Sequence, residues 1–160
     1  MVEYGHTLPK DDIQNRNVFE GVPLSIVDFG FVTEFTKISV DGNNKLQAKH
    51  RPQERVKIFR GNLMFSSPNS FLFLTTSRRD DLLSLCYMLV YLLNEGRIPK
   101  VELDEALETN DNYRKICEAK AGHTLKDLCN ENNGTADLFG FFQECFSYQY
   151  EDEPRYGKLR

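Results

Sequence analysis

Between Ser77 and Asn94 the chain carries Leu82, Leu85, Cys86, Leu89, Val90 and Leu93 at helical spacing, and Leu83, Tyr87, Met88, Tyr91 and Leu92 occupy much of the surface between them. A helix that is apolar nearly all the way round has to be packed on most sides. The pattern therefore predicts a buried central rod over 77 to 95, with the rest of the chain arranged about it. Ser77 and Asp80 stand at the S-x-x-D spacing of a capping box, and Gly96 and Pro99 supply the stop. The apolar run already contains Ser84 and is well short of the roughly 20 residues needed to cross a bilayer, so no membrane partner is expected.

The 160 residues are the length of one ordinary domain, and an apolar fraction of 40% leaves room for a core. Pro23 to Gly30 reads as a short strand ending in an Asp-Phe-Gly turn and Phe31 to Phe35 as another, which predicts a small hairpin near residues 18 to 35. From Asp41 to Arg60 the chain reads as a long basic loop, with Lys45, Lys49, Arg51, Arg55, Lys57 and Arg60 set against Asp41 and Glu54. Asp104 to Leu107, Tyr113 to Lys120 and the aromatic-rich Ala136 to Phe146 read as helices, so the expected class is mainly α with a small β-hairpin. Cys86, Cys117, Cys129 and Cys145 stand among apolar neighbours with no C-x-x-C pair, and the first residues lack the basic and apolar stretches of a signal peptide. Both features point to a reducing compartment, cytoplasmic or nuclear. A net charge of -4 gives no reason to expect nucleic acid.

Asp12-Ile13-Gln14-Asn15-Arg16-Asn17 keeps the Asp-[Leu/Ile]-x-x-x-Asn spacing of a protein-kinase catalytic loop, and Asp28-Phe29-Gly30 follows it. Phosphoryl transfer needs a carboxylate to orient the attacking hydroxyl, and an Asn and a second Asp to hold magnesium against the phosphates. Taken singly, Asp12 and Asn17 are more often loop or capping residues, and Asp81 could be a first-turn acid facing the helix dipole. His6, His50 and His123 lack the spacing of metal ligands.

Gly61-Asn62-Leu63-Met64-Phe65-Ser66-Ser67-Pro68-Asn69, followed by Ser77-Arg78-Arg79-Asp80-Asp81-Leu82-Leu83-Ser84-Leu85-Cys86-Tyr87, resembles the casein kinase 1 family of serine/threonine kinases. That family has a G-T-x-x-[FY]-[AS]-S segment leading to S-R-R-D-D-L-x-S-L-G-Y. The likeness continues through Tyr113 to Lys120, Leu128-Cys129 and Phe142 to Tyr156, and so covers nearly the whole chain. It implies a protein kinase-like C-terminal lobe lacking the N-terminal lobe, with the catalytic loop at about 10 to 17, Asp-Phe-Gly at 28 to 30 and the activation segment at 31 to 70. Asp12 then takes the catalytic-base position, Asn17 and Asp28 the magnesium positions, and Asp81 that of a buried acid anchoring the catalytic loop. Mg2+ and ATP are the implied cofactors, expected only with a complete kinase domain.

Several neighbours depart from the family. Lys10-Asp11-Asp12 stands for His-Arg-Asp, Gln14 for the Lys that meets the transferred phosphate, Asn62 for the Thr after Gly61, and Cys86 for a helix Gly. Gln14 removes a cation from where charge gathers in the transition state, which costs on the order of a hundredfold in rate. The 11 residues before Asp12 do not supply a Gly-rich loop, a strand Lys or its Glu partner, so the chain is expected not to catalyse transfer as it stands. Such a lobe should expose an apolar face that a missing N-terminal lobe or another chain covers. The basic stretch has two readings of equal weight, a solvated face and a site for acidic or phosphorylated protein substrates, with Lys57 and Arg60 nearest the activation segment. A different class of function remains beside the kinase: a pseudokinase or scaffold lobe that docks acidic partners.

Overall fold

The computed structural model describes residues 25–102 and 109–159. The chain divides into two compact units, Met1–Gly30 and Phe31–Arg160. In the larger unit a two-stranded antiparallel hairpin, β1 (Thr36–Val40) and β2 (Leu46–His50), is followed by helices α1 (Pro68–Phe71), α2 (Arg78–Leu93), α3 (Thr109–Ala121), α4 (Leu125–Leu128) and α5 (Phe139–Ser147). The class is mainly helical with a small hairpin, as the sequence leads one to expect.

The hairpin is not where the sequence places it. Residues 25–35 form no strand, and the strands fall at 36–40 and 46–50, so β2 occupies part of the stretch read as a basic loop. The reason is local. The Asp41 carboxylate accepts the backbone N–H groups of Asn43 and Lys45, each at 2.9 Å, and the side-chain amide of Gln47 at 3.1 Å, while Asn44 takes a φ of 56°. An Asx turn built on Asp-Gly-Asn-Asn closes the ribbon where cations alone suggest disorder. These bonds hold the Asp41 carboxyl below the usual carboxylate range, the backbone donors of Lys45 and Asn43 leading.

The central rod is present as α2. The Asp80 carboxylate accepts the Ser77 backbone N–H at 2.8 Å, which is the acid's share of the capping box, and Gly96 at φ 79° closes the other end. Cys86, Tyr87 and Val90 are fully buried and join Ile98, Leu128, Phe142 and Cys145 in one core, where α5 lies against α2. Burial of each large side chain contributes about 1.5–3 kcal/mol. Met88, Leu92 and Leu93 remain exposed, so the rod is covered on fewer sides than its composition implies. The segment after α5 is clamped back onto it: the Arg155 guanidinium meets both Glu144 oxygens at 2.8 and 2.9 Å, and the Tyr148 hydroxyl donates to Glu144 at 2.6 Å. Residues Asp104 to Leu107, read as helix, lie outside the described residues.

Candidate functional site

Within the larger unit, a hollow of about 1110 Å3 opens between the hairpin base, the stretch after it and the start of α2. Its lining includes Lys57 and Arg60, Asp80 and Asp81, and Thr75 and Tyr150. The hollow thus joins cations and carboxylates in one solvent-filled space. Three of the residues singled out from the sequence, Lys57, Arg60 and Asp81, meet there.

Two buried ionisable groups hold the Ser66-Ser67 segment beside the hollow. Asp80 is almost wholly buried, and its Oδ1 accepts the Ser67 hydroxyl at 2.6 Å and the Asn69 amide at 2.8 Å; Arg79 Nε lies 3.6 Å from its Oδ2. A buried carboxylate is tolerated only with such a set of donors. From the other side Lys120 of α3, equally buried, donates from Nζ to the Ser66 carbonyl at 2.6 Å and stands 4.2 Å above the Tyr87 ring and 5.1 Å from that of Phe71. Desolvation pushes this amine down to about 7. One helix grips Ser66 and another grips Ser67.

The approach to these serines is set by Gly61. Its φ is +126°, and a Cβ there would sit 2.6 Å from Ser66 Oγ, which itself donates to the Asn62 carbonyl at 2.6 Å. Asn62, where the family resemblance leads one to expect Thr, accepts the Met64 and Phe65 N–H groups on its own side chain at 2.7 and 3.3 Å. The substitution keeps a turn by a different oxygen.

Asp81 requires a correction. It is exposed, not buried as the sequence reading holds, and the buried acid at the head of α2 is its neighbour Asp80. The Asp81 carboxyl lies at the wall of the hollow, where crowding by protein and the adjacent Asp80 charge raise it above its ordinary value. Asp28, in the unit Met1–Gly30, has φ 64°, and its Oδ1 accepts the Gly30 N–H at 3.2 Å in an exposed setting. Asp12, Gln14 and Asn17 lie outside the described residues. Among the described residues no three His, Cys, Asp or Glu side chains are grouped to hold a metal ion, and no helix is long and apolar enough to cross a membrane.

Two members of the site were missed by sequence reasoning. Lys120 follows Ile116 by four residues and so falls on the buried stripe of α3, a placement that alone could have marked it as an internal cation. Asp80 is read from the sequence as a cap, and nothing local shows that it also collects Ser67 and Asn69.

No family model matches the chain. Over 150 residues, 92% of its length, it is 32% identical to a protein of Encephalitozoon cuniculi named as a probable casein kinase I homolog. The chain spans 44% of that relative's length. Across the matched residues the sequence is casein kinase 1-like, which agrees with the resemblance carried by the Gly61 and Ser77 segments.

Proposed function

We propose, from the casein kinase 1-like character of the sequence, that the chain is the C-terminal lobe portion of a serine/threonine kinase, which transfers the γ-phosphate of ATP to a protein hydroxyl when an N-terminal lobe accompanies it. The observation that carries this reading is the identity over 92% of the chain. The capped α2 and the doubly held Ser66-Ser67 segment support it, since a peptide platform has to be rigid.

In this reading Asp12 orients the substrate hydroxyl, and Asn17 and Asp28 hold Mg2+. The exposed Asp28 carboxylate is a hard oxygen donor of the kind that ion takes. Mg2+ bound with ATP would neutralise charge on the phosphates. Lys57 and Arg60 attract acidic or phosphorylated substrates into the hollow, whose wall also carries the Asp81 carboxylate. Exposed apolar groups such as Ile58, at 66%, fit a face that another lobe or chain covers.

A second reading, a pseudokinase or scaffold lobe, is favoured by Gln14, which removes a cation from the transferred phosphate. Thermal shift with millimolar MgATP separates them. A shift abolished by Asp28→Ala supports the nucleotide site; the absence of any shift leaves the scaffold.

A further inference from the structure

The β1–β2 hairpin has two unlike faces. Its register pairs Ile38 with Ala48 and Val40 with Leu46 on one face, and Lys37 with Lys49 and Ser39 with Gln47 on the other. The apolar side is unusually bare, with Ile38 at 69% and Leu46 at 76% exposure. On the polar side two lysines stand directly opposite one another, an arrangement that repels, and Lys45 extends the cationic row at the turn. Among the described residues neither Lys45 nor Lys49 forms an ion pair.

The main chain adds a third feature. Bonds from Arg51 N–H to the Phe35 carbonyl and from Asp41 N–H to the Lys45 carbonyl fix which pairs bond inward along the ladder. The backbone groups of Leu46 and Ala48 therefore point outward, and among the described residues the sheet stops at two strands. A two-stranded ribbon is marginal alone, and a third strand would both pair that edge and continue its faces.

We infer that the open edge of β2 is a docking site for an extended protein segment with alternating acidic and apolar side chains, its acids beside Lys45 and Lys49 and its apolar groups beside Leu46 and Ala48. The alternation follows from the pleat: successive side chains of an added strand fall on opposite faces, one of them lysine-rich and one apolar. The occupant is acidic because the facing lysines gain from a carboxylate set between them and water. This site is distinct from the hollow at Lys57 and Arg60 and does not depend on its role there.

The test uses the whole chain and a fluorescent peptide, acetyl-Glu-Val-Glu-Val-Glu-Val-Glu-amide, with a block isomer, acetyl-Glu-Glu-Glu-Glu-Val-Val-Val-amide, as the comparison. Anisotropy should show the alternating peptide binding more tightly than the block isomer, and Lys49→Glu should weaken it by roughly fivefold or more. Hydrogen exchange should slow at the amides of Leu46 and Ala48. Equal binding of the two isomers would overturn the inference, as would protection that avoids β2. Binding that survives Lys49→Glu but is lost with Lys57→Glu would place the peptide in the hollow, refuting the edge site while leaving the kinase reading intact.

Discussion

Replacing Lys120 by Met tests the buried-amine account of the Ser66-Ser67 platform. In the folded chain this amine titrates near 7, against an ordinary value of 10.5. Between those values the unfolded chain binds more protons than the folded one, so stability must rise with pH. With these two values the gain from pH 7 to pH 8.5 is about 1.5 kcal/mol, or roughly 5 °C in Tm for a chain of this size. The desolvated His123, lowered for the same reason, acts in the same sense at more acid pH, whereas Cys129, pushed up to about 11, opposes the gain only as pH passes the ordinary thiol value. The assay is a thermal melt of wild type and Lys120→Met at half-unit steps from pH 6.5 to 9. Wild type should climb and the Met variant should stay nearly flat. Lys120→Arg, which cannot shed its proton, should be both flat and lower in Tm throughout. A flat wild-type curve, or a Met variant that keeps the slope, would refute the reasoning.

Asp80→Asn should lower stability by about 3 kcal/mol, because Ser67, Asn69 and Arg79 lose a buried anion, while Asp81→Asn should leave Tm unchanged or higher through relief of the Asp80 repulsion. Denaturant melts of the pair distinguish the two acids. Gly61→Ala should cost about 1–3 kcal/mol, since its positive φ and the Ser66 hydroxyl both oppose a Cβ; a variant as stable as wild type in the same melts would remove the argument for a close approach. A thiol reagent added to the native chain should label Cys117 first, because Cys86, Cys129 and Cys145 are buried, and label all four only in denaturant. Mass spectrometry of the early product identifies the site.

What the sequence discloses and conceals follows physical lines. The run from Ser77 to Asn94 is legible because its caps and its apolar period lie within one element, and α3 and α5 are legible from their apolar spacing alone. The hairpin is misplaced because both of its faces meet water: Lys45 and Lys49 read as loop, and the Asp41 turn is overlooked. Residues joined across long separations are the hardest to foresee. Lys120 reaches Ser66 and Tyr150 meets Thr75 at 3.1 Å, and no local pattern announces either meeting. Asp80 is buried while its neighbour Asp81 is exposed because adjacent positions on a helix point about 100° apart.

Cys86 has a bearing on how this sequence can still change. The casein kinase 1 likeness leads one to expect glycine at that position, yet the thiol is fully buried in the core that holds Cys145 of α5, and the neighbouring Cys145 thiol together with burial raises it above the ordinary thiol value. Glycine at position 86 would replace a slightly better helix former in mid-rod, at roughly 0.3 kcal/mol, and would leave an empty space facing α5. Positions 86 and 145 therefore share one space, and a smaller side chain at 86 is best tolerated beside a larger one at 145.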